Sequence, residues 1–160
     1  MSLVHLEEHR LRALRFYKAK DLRIEDFAAP GAPGPKDVVL KVTYCGICGT
    51  DLHEYTSGPI ILPVEPHPFT GASVPIILGH EFSSVEKGVR LIGCWGNDIT
   101  IGPRLAGLIA SGKFPVEKIV TGRVTLDAAV TEGFEELTKK GNDHLKILIR
   151  MADVSPADQT

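Results

Sequence analysis

Two short segments hold most of the side chains able to do chemistry. The first is Tyr44-Cys45-Gly46-Ile47-Cys48-Gly49-Thr50-Asp51-Leu52-His53-Glu54-Tyr55; the second is Gly79-His80-Glu81. Cys48 offers a thiolate and His80 an imidazole, both good ligands for zinc, a borderline-soft ion. A catalytic zinc takes three protein ligands and keeps a further position open. Cys48 and His80 supply two, and Glu81, Glu65, Cys45 and His67 stand open as the third. The metal-free alternative is a buried free cysteine and a hydrogen-bonded histidine. Cys45 and Cys48 also form a C-x-x-C. A structural zinc would need a second such pair, and a thioredoxin-like site would need a βαβ setting; neither surrounds the motif.

Other chemistries lack their signatures. No two of the 16 glycines are separated by one residue. G-x-G-x-x-G, whose backbone N–H groups meet a pyrophosphate, is therefore absent. G-x-x-x-x-G-K-[ST] and H-E-x-x-H are absent as well. The net charge of −2 gives no support to a nucleic-acid or anionic-membrane partner, either of which calls for a basic excess. No apolar run approaches the roughly 18–20 residues of a membrane span. Three cysteines, an odd and low number, point to reduced thiols and a cytoplasmic setting. A chain of 160 residues has room for one ordinary domain, not for a catalytic domain plus a complete dinucleotide-binding domain.

The elements that must position these groups follow from pattern and punctuation. Residues 1–10 read as a leader without a signal-peptide core, although His5 and His9 stand four apart. Arg12–Tyr17 and Leu22–Phe27 read as a hairpin about the polar turn 18–21. Pro30-Gly31-Ala32-Pro33-Gly34-Pro35 is a rigid connector, and Asp37–Tyr44 is the strongest strand candidate. Gly49–Ser57 reads as a short helix, capped by Thr50 or Asp51 and stopped by Gly58-Pro59. Five prolines between 59 and 75 make that segment a long loop. Strands are expected at 81–86, 89–92, 118–124 and 145–149. Pro103 starts a helix with a Leu105, Leu108, Ile109 stripe. Asp127 caps a second helix with Val130, Phe134 and Leu137 inward, Glu135–Lys139 and Glu136–Lys140 pairs outward, and Gly141 at its end. A polar tail, 151–160, follows.

The run Y-C-G-I-C-G-T-D-L-H-E-Y, a Pro-rich loop and then L-G-H-E-F resemble the zinc-dependent medium-chain alcohol and polyol dehydrogenases, closest to the butanediol, sorbitol and threonine dehydrogenase branch. Residues 11–86 resemble the start of that family's GroES-like catalytic domain. Residues 87–150 resemble its C-terminal return, with a remnant of the Rossmann end. The implied fold is β-rich α+β, a GroES-like partial barrel with short helices and most of the Rossmann domain missing.

By that resemblance, Cys48 and His80 match zinc ligands, and Glu81 matches a glutamate beside the zinc that is an occasional ligand. Thr50 matches the hydroxyl that bonds the alcohol oxygen, His53 a proton relay, and Asp51 the group that orients the histidine. The implied reaction is zinc-assisted hydride transfer from a secondary alcohol or diol to NAD(P). From residue type alone, Thr50 and Asp51 are equally helix caps, and His53 a surface residue. The resemblance assigns no role to Cys94; His67 faces a cleft or solvent, and His144 lies in a turn. The family's third zinc ligand and nearly all of its Rossmann domain would fall between about Ser84 and Val89. That gap implies an incomplete zinc site, no cofactor-binding residues of its own, and sheet edges covered by a homo-oligomer. The competing expectations are a dehydrogenase-type enzyme and a non-catalytic, zinc-binding remnant of the catalytic domain.

Overall fold

A computed structural model describes residues 11–35, 37–86, 89–93 and 101–151. The leader with His5 and His9, the tail beyond 151, and Cys94 lie outside the described residues.

Strands β1 (Leu11–Lys18) and β2 (Asp21–Phe27) form the expected hairpin, with Leu14 opposite Ile24 and Phe16 opposite Leu22. Its turn docks on helix α1 (Gly49–Ser57): the Lys20 N–H donates to the Tyr55 carbonyl at 2.8 Å, and the Lys20 ammonium lies 4.3 Å from the Tyr55 ring centre. A two-residue strand, β4 (Ile76–Ile77), completes a three-stranded sheet in the order β2-β1-β4. The second sheet uses β3 (Val42–Gly46), β5 (Glu81–Glu86), β6 (Val89–Gly93), β7 (Val120–Thr125) and β8 (Lys146–Arg150). Its order is β6-β5-β3-β8-β7, with only β7 and β8 parallel. The two sheets do not close into a barrel among the described residues.

The core lies where Leu14, Ile47, Tyr55, Phe134, Ile147 and Ile149 meet. Tyr55 and Phe134 pack edge to face with ring centres 5.4 Å apart, the geometry favoured by the ring quadrupoles. A cavity of about 250 Å³ runs between the sheets, walled by Leu14, Cys45, Ile47, Phe82 and Leu126.

Several boundaries differ from expectation. The strand predicted from Asp37 begins only at Val42. Val38 and Val39 are exposed, and among the described residues no strand pairs with them to turn a β-prone run into a ladder. The cap of α1 is Cys48, not Thr50 or Asp51; Asp51 sits in the first turn and accepts the Cys48 N–H at 3.0 Å. Helix α2 (Gly102–Ala110) starts with Pro103 as predicted, but none of its residues is buried: Leu105 and Leu108 are half-buried and Ile109 is exposed.

The segment after β7 departs most. Instead of one regular helix it makes a wide π-type turn, Ala129–Phe134, and then a single α-helical turn, α3 (Glu135–Thr138). Asp127 pairs with Arg12 rather than capping it. A Cβ at Gly133 would lie 2.8 Å from Ile47, so this turn packs its backbone directly on the core. Since Lys139 is already extended, the outer pair is Glu136–Lys139, and Gly141 takes its left-handed φ of 75° in the following turn.

Candidate metal centre

Strand β3 ends at Gly46 and α1 begins at Gly49, so Cys48 sits on the corner between them. Strand β5 begins at Glu81, which pairs with Gly46. That register brings the start of β5 and its preceding His80 beside the Cys48 corner. Ligand atoms of Cys48, His80 and Glu81 all lie within 4.8 Å of one another. Bond lengths of about 2.0–2.3 Å in a tetrahedral zinc site imply ligand spacings of about 3.3–3.8 Å. A thiol, an imidazole and a carboxylate at this spacing therefore fit zinc after a closure of about an ångström.

The groups around the cluster fix it. The Asp51 carboxylate stands 3.5 Å from His80 Nδ1, and the Thr50 hydroxyl 3.2 Å from His80 Nε2. Burial pushes the Asp51 carboxyl above its ordinary value, against the Cys48 N–H and the His80 ring, which both favour its charge. Burial also pushes Glu81 upward. The Lys146 ammonium, with smaller help from the Cys48 thiol and His80, outweighs it and leaves Glu81 below its ordinary value. Lys146 Nζ donates to Glu81 Oε2 at 2.6 Å and to the Ile47 carbonyl at 3.1 Å.

Of the open third ligands, only Glu81 joins the cluster among the described residues. Cys45 turns into the inter-sheet cavity, where burial, and next the charge of Asp51, raise its thiol to about 11. Glu65 is exposed in the Pro-rich loop. His67 stays within that loop, its ring 5.8 Å from Phe69 and its Nδ1 accepting the Phe69 N–H at 3.4 Å. His144, just before β8, lies with its Nδ1 3.2 Å from the Thr121 hydroxyl. His53 lies on the exposed face of α1, outside the cluster.

Two residues escaped the sequence reading. Lys146 comes from β8, 65 residues from its partner Glu81, with no local signal beyond a charge at the head of an apolar run. Glu54 is a buried carboxylate that accepts the N–H groups of Ile60, Ile61 and Leu62 at 2.8, 2.6 and 3.3 Å. It pins the Pro-rich loop over α1 and walls a cleft of about 190 Å³ with Thr50, His80, Ile61 and Leu62.

Comparison with known proteins places these features in context. Residues 34–90 match the alcohol dehydrogenase GroES-like domain. An (R,R)-butanediol dehydrogenase of Neisseria gonorrhoeae is 47% identical over 94 residues, covering 58% of this chain and 25% of that protein. A sorbitol dehydrogenase of Bacillus subtilis is 28% identical over 157 residues, covering 98% of this chain and 36% of that protein. The chain thus spans about a quarter to a third of the length of these relatives. In fold it is similar to the crystal structure of 2R,3R-butanediol dehydrogenase from Bacillus subtilis, with a TM-score of 0.73 and 18% identity over 87% of this chain and 99% of that one.

Proposed function

Because this chain belongs to the zinc-dependent medium-chain alcohol dehydrogenase family, covering part of its relatives' length, we propose that it holds zinc through Cys48, His80 and Glu81 and presents it to a small alcohol or diol. The convergence of those three ligand atoms within 4.8 Å carries the reading. Zinc supplies Lewis-acid polarisation of an alcohol oxygen.

The chain's own groups do the rest. Asp51 holds the His80 ring through Nδ1, fixing its tautomer and leaving Nε2 for the metal. Thr50, now against Nε2, turns its hydroxyl to the alcohol, accepting the alcohol's proton as it hands on its own. His53, on the exposed face of α1, passes that proton to solvent. The apolar wall of Ile61 and Leu62 receives the carbon chain.

A dinucleotide does not fit what is present. No G-x-G pair exists in the sequence, so the glycine-rich motif that meets a pyrophosphate is missing from it. No hydride step is assigned to this chain, and NAD(P) enters by family only. Residues 11–86 and 87–150 act as one catalytic-domain unit in a cytoplasmic homo-oligomer. The stripe of α2, none of it buried, and the exposed Ile60, Val64 and Phe69 support self-association. Among the described residues, no helix is long and apolar enough to cross a membrane.

The spans of 25% and 36% of the relatives' length favour a second reading, a zinc-binding remnant without turnover. NADH fluorescence and butanediol oxidation with added zinc separate the two. Cobalt titration of the purified chain tests the metal site itself: thiolate-to-metal absorption appears at one equivalent and disappears in Cys48→Ser. Stoichiometric binding retained by Cys48→Ser sinks the assignment.

A further inference from the structure

Lys146 places a cation directly against the cluster, and its placement is specific. Its ammonium bridges the Glu81 carboxylate and the carbonyl of Ile47, the residue before Cys48. Both partners of the ion pair are largely withdrawn from water, with side chains 26% and 30% exposed. Room for the pair comes from Gly46: a Cβ there would stand 2.8 Å from Glu81 Oε2 and 3.5 Å from Lys146 Cδ. One oxygen of Glu81 is thus committed to Lys146, although the same carboxylate is the third member of the ligand group.

We infer that Lys146 is a positioning residue that competes with the metal for Glu81, and so sets the affinity of the centre and the number of protein ligands it shows. The inference rests on the zinc reading above. A metal entering between Cys48 and His80 meets Glu81 as the counter-ion of Lys146, not as a free ligand. Ligation by both oxygens of Glu81 requires Oε2 to leave the ammonium, and the ammonium itself repels a dication. The centre is therefore two firm ligands plus one held in reserve. The hold comes from β8, far along the chain from the other three residues.

The test measures zinc affinity by competition with a chromophoric chelator at fixed pH, and ligand number from the cobalt spectrum. Lys146→Met tightens zinc by about tenfold or more, a typical size for groups acting on a metal ligand from outside. It also shifts the cobalt spectrum toward the added carboxylate. Lys146→Arg, which keeps the charge, stays near wild type. In a Glu81→Gln background, Lys146→Met loses most of its effect on ligand number. Lys146→Gln, which keeps a hydrogen-bond donor, provides the neutral variant if Lys146→Met does not fold. Unchanged or weaker zinc affinity in the folded neutral variant overturns the inference. If Cys48→Ser abolishes binding in the same series, the zinc reading survives that failure; if wild type takes no zinc, both fall.

Discussion

Replacing Gly79 with alanine loads two costs onto the residue that precedes His80. Gly79 has φ of 113°, well outside the region open to L side chains. Holding a non-glycine residue there costs about 1–3 kcal/mol. The new Cβ would also lie 2.6 Å from Cys45 Sγ, about an ångström inside normal contact. Overpacking of that kind adds about 1–3 kcal/mol. The sum, about 2–6 kcal/mol, is a large share of a typical domain stability of about 5–15 kcal/mol. Urea unfolding of the apo chain reads it directly. Cys45→Ala in the Gly79→Ala background removes the clash but not the dihedral strain, so the double-mutant cycle shows a coupling of about 1–2 kcal/mol. Zinc affinity falls with the single variant, because His80 shifts with its neighbour. A loss below about 1 kcal/mol, or no coupling with Cys45, refutes the reasoning.

Three other outcomes follow from the same geometry. Asp51→Asn keeps an acceptor for the Cys48 N–H but removes a buried charge, so its urea midpoint rises at pH 7. The gain shrinks as pH falls, since the raised carboxyl of Asp51 binds its proton earlier in the folded state than in the unfolded one. The same variant lowers zinc affinity by about 10–100-fold, and unchanged affinity would exclude its orienting role. At pH 8, Cys45, raised to about 11, is only roughly one part in a thousand thiolate, so iodoacetamide mapped by peptide mass spectrometry labels Cys48 well before it. Glu54→Ala strands three loop N–H groups, costs about 3 kcal/mol, and speeds limited proteolysis within residues 59–75.

What could be read from sequence divides along physical lines. The first hairpin and α1 are written in local chemistry: alternation, a polar turn, and a Gly-Pro stop, all within the elements themselves. The β-prone run from Asp37 reaches beyond β3 because β-propensity marks residues that fit a ladder, while only a partner decides where the ladder runs. The π-type turn at Ala129–Phe134 was invisible because Gly133 meets Ile47, a contact between distant parts of the chain. At the site, Cys48 and His80 announce themselves by type and motif. Their approach depends on the pairing of Gly46 with Glu81, and the hold of Lys146 on Glu81 depends on β8. Neither has a local trace.

The central position of β3 also bears on the order in which this molecule takes shape. One edge of β3 is met by β5, but the other waits for β8, whose Lys146 reaches Ile47 across 99 residues. Closing so long a loop comes late, since its entropy must be spent before its contacts repay it. During synthesis at about 5–20 residues per second, Cys48, His80 and Glu81 emerge several seconds before Lys146. For that interval Glu81 has no ammonium to hold it, and a nascent chain can meet zinc before it meets its own last strand.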